Sequence, residues 1–139
     1  MIQITDEMRP LIDNNLANGN PCIVATASPE GEPSVGFRGS MMVFDDDSLA
    51  YWERVKRAGL DNVQANPKVV VMFRDPASNN AWKFHGDATV YVDGPIRQQV
   101  LDRVCQPELD RDPAREGFAV VIRLNRIMTL GGQVVQQRD

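Results

Sequence analysis

The stretch Trp82-Lys83-Phe84-His85-Gly86-Asp87-Ala88-Thr89-Val90-Tyr91-Val92-Asp93 alternates apolar or small residues with polar ones along most of its length. Side chains of an extended chain point to opposite faces in turn, so this period predicts a long strand with Trp82, Phe84, Gly86, Ala88, Val90 and Val92 on its core face. Gly86, in mid-strand, permits a bulge or the close approach of another backbone. Just upstream, 75–80 reads as a loop. Residues 68–74 read as a strand whose run Val69-Val70-Val71-Met72-Phe73 is apolar enough to be buried on both faces.

Further toward the N-terminus, Asn66-Pro67 closes a short helix carrying Leu60, Val63 and Gln64, because proline disfavours helical geometry at the residue before it. Four strands precede that helix, at 22–27, 34–39, 41–44 and 49–53, and their short polar turns predict a meander. The turn Asp45-Asp46-Asp47-Ser48 lacks the alternating ligands and distal Glu of a calcium loop and reads as a plain polar turn. Asp6 is the expected N-cap of a first helix with Met8, Leu11, Ile12 and Leu16 on one face, Pro10 in its first turn and Gly19 as its stop. Downstream, Pro95 opens a helix carrying Ile96, Val100, Leu101 and Val104, capped by Asp93 or Gly94 and suited to cover an open end of the sheet. Residues 106–117 read as a surface loop. A long strand follows at 118–128 with a bulge near Asn125, and Gly131-Gly132 turns into a last strand at 133–137.

The sum is a mainly β (α+β) chain of 139 residues, one domain spanning 1–139, in which a small closed β-barrel is favoured over a doubly wound sheet. Long strands in so small a domain need closure or a partner to hide their edges, so a homodimer is expected. A net charge of −4 argues against binding a nucleic-acid backbone and for a small-molecule partner. Cys22 and Cys105 form no CxxC pattern and read as small core residues. With no signal-peptide pattern and no apolar run approaching a membrane span, a cytoplasmic protein is expected.

The chemistry concentrates in Tyr51-Trp52-Glu53-Arg54-Val55-Lys56-Arg57-Ala58-Gly59-Leu60, which places three cations in four positions of an acidic chain. They fall where a strand ends and a helix begins, so their charges and the unpaired N–H groups of the helix start would meet a phosphate together; the bland alternative is a solvated basic turn. His85, the only histidine, is either a proton donor beside a bound group or a structural residue of the strand's polar face. No zinc-type cluster, nucleophile elbow, GxGxxG or P-loop is present, and no catalytic residue is assigned.

In order along nearly the whole chain stand Ile23-Val24-Ala25-Thr26-Ala27, the turn Glu30-Gly31-Glu32-Pro33, Arg38, Tyr51-Trp52, the basic segment, Asn62 to Val69, Trp82 to Ala88 and Gly94-Pro95. This ordered set resembles the pyridoxamine 5'-phosphate oxidase-like family of flavin-binding split barrels. The resemblance implies a six- to seven-stranded antiparallel split β-barrel with short covering helices, and a homodimer holding flavin mononucleotide (FMN) between subunits. It implies that Arg38, Gly39, Ser40 and Met41 line the ring and ribityl chain. The segment at Trp52, Glu53, Arg54, Lys56 and Arg57 would hold the phosphate. Met41 and Met42 would offer an apolar shelf from one face each, or simply pack in the core.

Three departures bear on activity. Members that oxidise pyridoxamine phosphate carry a lysine shortly after the matching arginine, where this chain reads Met41-Met42-Val43-Phe44. They carry a serine before the paired cations, where Val55 stands here. Their substrate-gripping C-terminal arginine and histidine have no counterpart in 131–139. The expectation is therefore an FMN-dependent oxidoreductase of an unidentified small molecule, and not a true pyridoxamine-phosphate oxidase. Its rivals are a deazaflavin-dependent reductase of the same fold and a non-catalytic flavin- or haem-binding module, the latter with His85, Met41 and Met42 as the only weak axial candidates.

Overall fold

The computed structural model describes all 139 residues. The elements in chain order are α1 (Met8–Asp13), β1 (Cys22–Ala27), β2 (Pro33–Arg38), β3 (Met42–Asp45), β4 (Ser48–Glu53), α2 (Ala58–Ala65), β5 (Lys68–Asp75) and β6 (Asn80–Tyr91). They continue with α3 (Gly94–Leu101), α4 (Gln106–Asp110), β7 (Phe118–Met128) and β8 (Val134–Gln137). Seven strands run antiparallel in the order β2-β1-β5-β6-β7-β4-β3, and β8 adds to β7. This is a half-barrel with four short helices, the split barrel of the resemblance; the two ends of its strand order are not hydrogen-bonded to each other, so the closed ring expected from the strand pattern does not form.

The expected meander is also corrected. β1 pairs β2 and β3 pairs β4, but β2 and β3 lie at opposite ends of the sheet. The chain turns a corner between them, where Met41 N–H donates to Arg38 O at 3.2 Å, and two hairpins are separated by the whole width of the sheet. Local turn chemistry fixes each hairpin, whereas their separation is decided by β5 taking the free side of β1 and β7 the free side of β4.

The interior is filled from both halves: Val24, Val71, Phe73, Trp82, Phe84, Leu49, Tyr51, Ile122, Leu124 and Ile127 share one cluster with Ile4, Met8 and Ile12. β4 is buried along its entire length because its other face, Ala50 and Trp52, lies under α3 and meets Val100, Val104, Met42 and Ala119. α3 thus covers an outer face of β4, β6 and β7, not an open end of the sheet. Met41 and Met42 fall into the inner and the outer cluster respectively, on opposite faces as alternation requires.

Several local expectations shift. Thr5, not Asp6, serves the start of α1, its Oγ1 accepting the Met8 N–H at 3.2 Å. Val92 lies beyond the paired part of β6 and is 50 % exposed rather than core. Cys22 is buried, and burial pushes its thiol pKa well up; Cys105 is only half-buried. The 106–117 segment contains α4 and a buried Asp112, so it is anchored rather than a free loop. In the apolar run 69–73 of β5, Val69, Val71 and Phe73 are buried within the chain, while Val70 is half-buried and Met72 exposed, so one face of that run is left uncovered.

The bulge near Asn125 is present: Arg126 pairs His85 and Leu124 pairs Gly86, leaving Asn125 as the extra residue. Gly86 permits it, since a Cβ there would collide with the Arg123 carbonyl oxygen and lie 2.7 Å from Ile122 Cγ2. Neither neighbour is a flexible side-chain end. Gly86→Ala should therefore cost ~2–3 kcal/mol and lower the melting temperature by roughly 5–10 °C; an unchanged melting curve would show that β7 can yield at this point.

Candidate functional site

The residues marked out by sequence assemble at the mouth of the half-barrel, where β2 ends, β4 ends and α2 begins. Arg38, on β2, sends Nε and Nη2 to Glu53 Oε2 on β4 at 3.2 and 2.9 Å, and its Nη1 donates to Phe37 O at 2.8 Å. Glu53 is only 2 % exposed, so the pair lies largely out of water. The Arg38 guanidinium also lies 5.7 Å from the Tyr51 ring centre. Burial, then the Glu53 carboxylate, push the Tyr51 phenol pKa up, with Arg38 offsetting part of the shift. Tyr51 is therefore a neutral packing group.

α2 starts directly over this pair. Gly59 makes the approach possible, because a Cβ there would lie 2.9 Å from Arg38 Nη2. Arg57 is the N-cap and supplies no side-chain cap; Asp61 N–H is the first to find the carbonyl of the preceding turn, donating to Arg57 O at 3.0 Å. The N–H groups of Ala58, Gly59 and Leu60 thus remain free within the chain, and the helix dipole adds its positive end to the same spot.

Gly39, Ser40 and Met41 form the corner between β2 and β3, and all three are buried within the single chain. The Ser40 hydroxyl accepts the Trp52 N–H at 2.9 Å and lies 3.2 Å from the Trp52 carbonyl oxygen, tying the corner to β4. Met41 sits in the inner core, and Trp52 under α3. The haem alternative loses Met41 and Met42 in the same way, and His85 lies elsewhere, on the outer face of β6.

The basic turn is less uniform than its sequence. Arg54 is half-buried and donates from Nε to Glu108 Oε2 at 3.3 Å; Lys56 lies 4.2 Å above the Phe118 ring; Arg57 is exposed and in no ion pair. Arg54 and Lys56 line an open cavity of about 420 Å³ together with Arg111, from the segment after α4. Sequence reasoning missed Arg111 because 57 is far from 111 along the chain and nothing local marks it. A small pocket of about 60 Å³ lies between the corner and the basic turn, lined in part by Arg38, Gly39, Ser40 and Arg54. That is well below the ~300–1,000 Å³ of sites that enclose a small molecule.

Asp112 explains why the segment after α4 is held here. Its carboxylate is buried and accepts the Trp52 indole N–H at 2.8 Å and the backbone N–H groups of Glu116 and Gly117 at 3.0 and 2.8 Å. Burial alone would raise its pKa; those hydrogen bonds and nearby Arg115 outweigh it and hold the carboxyl below its ordinary range. Arg97, stacked 4.8 Å over the Trp52 ring, donates to the carbonyls of Arg115 and Gly117 and completes the latch.

A family model described as pyridoxamine 5'-phosphate oxidase matches residues 4–125. Among solved structures, HupZ of Group A Streptococcus is 25 % identical with a TM-score of 0.77, the alignment covering 96 % of this chain and 99 % of that one. A candidate pyridoxamine 5'-phosphate oxidase from Lactobacillus delbrueckii is 27 % identical, with a TM-score of 0.69 over 91 % and 94 %. An FMN-binding protein from Syntrophomonas wolfei, 14 % identical with a TM-score of 0.64 over 96 % and 87 %, shares the fold. No curated protein matches the chain.

The Asp112 latch has a pH signature. A carboxyl whose folded pKa is depressed contributes its stability in full above the unfolded value, about 3.9, and loses it as pH falls through the folded value. Asp112→Ala should cost ~2–4 kcal/mol in urea denaturation at neutral pH, and the gap to the parent should narrow at about pH 3 and below. An equal gap at both pH values would mean that the carboxylate charge contributes nothing to the latch.

Proposed function

The chain belongs to the pyridoxamine 5'-phosphate oxidase family, and we propose that it binds FMN between two copies of itself and acts as an oxidoreductase on a small molecule. The observation that carries this reading is the free start of α2 beside Arg54, Lys56 and Arg57. Three N–H donors, a helix dipole and three cations suit a dianionic phosphate, and Arg57 has no carboxylate to satisfy it within the chain. The residues present therefore fit the phosphate end of the cofactor. Arg38 contributes differently, since Glu53 already balances its charge; it fixes the floor beneath α2, beside the small pocket that Gly39 and Ser40 help to line.

A second copy is part of the proposal. The pocket between the corner and the basic turn is too small to enclose a tricyclic ring, which supports a site completed by another subunit. When bound, FMN supplies hydride acceptance and donation, and this chain's share is to orient the ring and exclude water around it. Absence of the lysine, serine and C-terminal substrate residues noted above speaks against pyridoxamine phosphate as the substrate.

One observation favours a second reading. Arg111 widens the basic region into a cavity beside Arg54 and Lys56, and a cofactor with a longer anionic tail, a deazaflavin, would use it. Competition between the two cofactors in a fluorescence titration decides, with Arg111→Ala weakening the deazaflavin selectively if that reading is right and leaving FMN affinity unchanged if FMN is native.

The direct test is the visible spectrum of purified protein and its titration with FMN beside an Arg54→Ala/Lys56→Ala/Arg57→Ala variant. Flavin binding that falls at least ~100-fold in the variant is expected from the loss of charge-assisted hydrogen bonds. Colourless protein that takes up no added flavin would sink the proposal.

A further inference from the structure

One register row crosses four strands on the outward face of the sheet: Ala25 of β1 pairs Val70 of β5, Val70 pairs His85 of β6, and His85 pairs Arg126 of β7. Paired residues of neighbouring antiparallel strands project to the same face, so the row spans roughly 14 Å at the usual strand spacing. It begins apolar and ends cationic. An open groove of about 430 Å³ has all four residues in its lining, together with Ala27 and Asn125. That volume falls within the ~300–1,000 Å³ of sites that take a small molecule, and none of the lining residues belongs to the basic cavity or the small pocket at the mouth.

The polar end of the row is unsatisfied. Arg126 Nη2 lies 3.4 Å from His85 Nδ1. A guanidinium only donates, so this contact favours the tautomer with the ring proton on Nε2. Burial, then Arg126 and Lys83, hold the His85 pKa below its ordinary value, which keeps the ring neutral at neutral pH. Nε2 is buried and has no hydrogen-bond partner in the chain, so its N–H is a donor without an acceptor. Arg126 has no carboxylate partner either, its Nε resting on Met128 Sδ at 3.3 Å. Lys68, also in the lining, differs: Asp87 Oδ1 lies 2.8 Å from its Nζ and balances its charge. The groove thus carries one uncompensated cation and, next to it, one unused N–H.

We infer that this groove binds a small organic carboxylate with an apolar body, the carboxylate on Arg126 and the His85 Nε2–H and the body laid over Ala25, Ala27 and Val70. A carboxylate supplies what both groups lack, acceptor oxygens and a negative charge, and its two oxygens serve both donors at once. An uncharged ligand would leave Arg126 unbalanced, and an inorganic anion would leave the apolar half of the row bare. The alanines matter because their side chains barely rise above the sheet, where the β-branched and aromatic residues usual in strands would fill the space a flat body needs. Reaching the buried Nε2 requires His85 or Arg126 to shift, and Arg126 is exposed on a flexible stem. Binding here does not depend on the FMN reading.

His85 is the only histidine, so in tag-free protein its ring proton signals report on the groove directly. Titration with 2-naphthoate, followed by proton NMR, should move them saturably, with one site per chain. 2-Naphthamide, of similar shape without the charge, should bind at least ~10-fold more weakly, and Arg126→Gln should weaken 2-naphthoate by about 10-fold or more. Ala25→Leu keeps both polar groups and fills the floor from a half-buried position; it should weaken 2-naphthoate by at least ~10-fold and serves if Arg126→Gln disturbs the fold. His85 signals unmoved at about 10 mM 2-naphthoate, equal affinity for the acid and the amide, or full affinity in a folded Arg126→Gln or Ala25→Leu variant would each overturn the site.

Discussion

The buried ion pair between Arg38 and Glu53 is the constraint on which the mouth of this half-barrel depends. The strand order runs from β2 at one end to β3 at the other, with no hydrogen-bonded closure between them. Arg38 stands on the first end strand and Glu53 on β4, next to the last, so their contact bridges the split that the backbone leaves open. Around it everything at the mouth is arranged: Gly59 lets α2 descend onto the guanidinium, Ser40 ties the corner to β4, and the basic turn begins at the very next residue, Arg54. A carboxylate this deeply buried is held by its partner, and removing either one leaves an uncompensated charge in the interior.

A second anchoring system stiffens the same region from outside. Trp52 faces away from the core beneath α3, with its indole fastened to Asp112 and its ring covered by Arg97. This holds the segment after α4 against the end of β4 and sets Arg111 beside Arg54 and Lys56. Gly117 belongs to the same device, since a Cβ there would run into the Trp52 indole. The side chains that sequence marked as cofactor-lining are thus divided: Ser40, Met41, Trp52 and Glu53 are committed inside the chain, and Lys56 and Arg57 remain outward.

Much of the local structure is legible in the sequence because its causes are local. The alternation at 82–91 yields β6, the mid-strand Gly86 and the slip near Asn125 yield the bulge, and Asn66-Pro67 ends α2. The features that escaped are set by contacts between residues far apart in the chain. Nothing in 34–44 says that β2 and β3 go to opposite edges, since that depends on which free edges β5 and β7 occupy. Asp112 reads as one more charge in a polar loop until Trp52, sixty residues earlier, is placed against it. The cation cluster was legible as a cluster, but not that Glu53 and Glu108 already engage two of the neighbouring arginines.

The proposed FMN site rests on the free start of α2 with Arg54, Lys56 and Arg57 beside it. A crystal structure of the protein grown with FMN tests that proposal most directly. The expected result is the phosphate within hydrogen-bond reach of the α2 start and of at least one of Arg54, Lys56 and Arg57. A phosphate held away from this turn would contradict it.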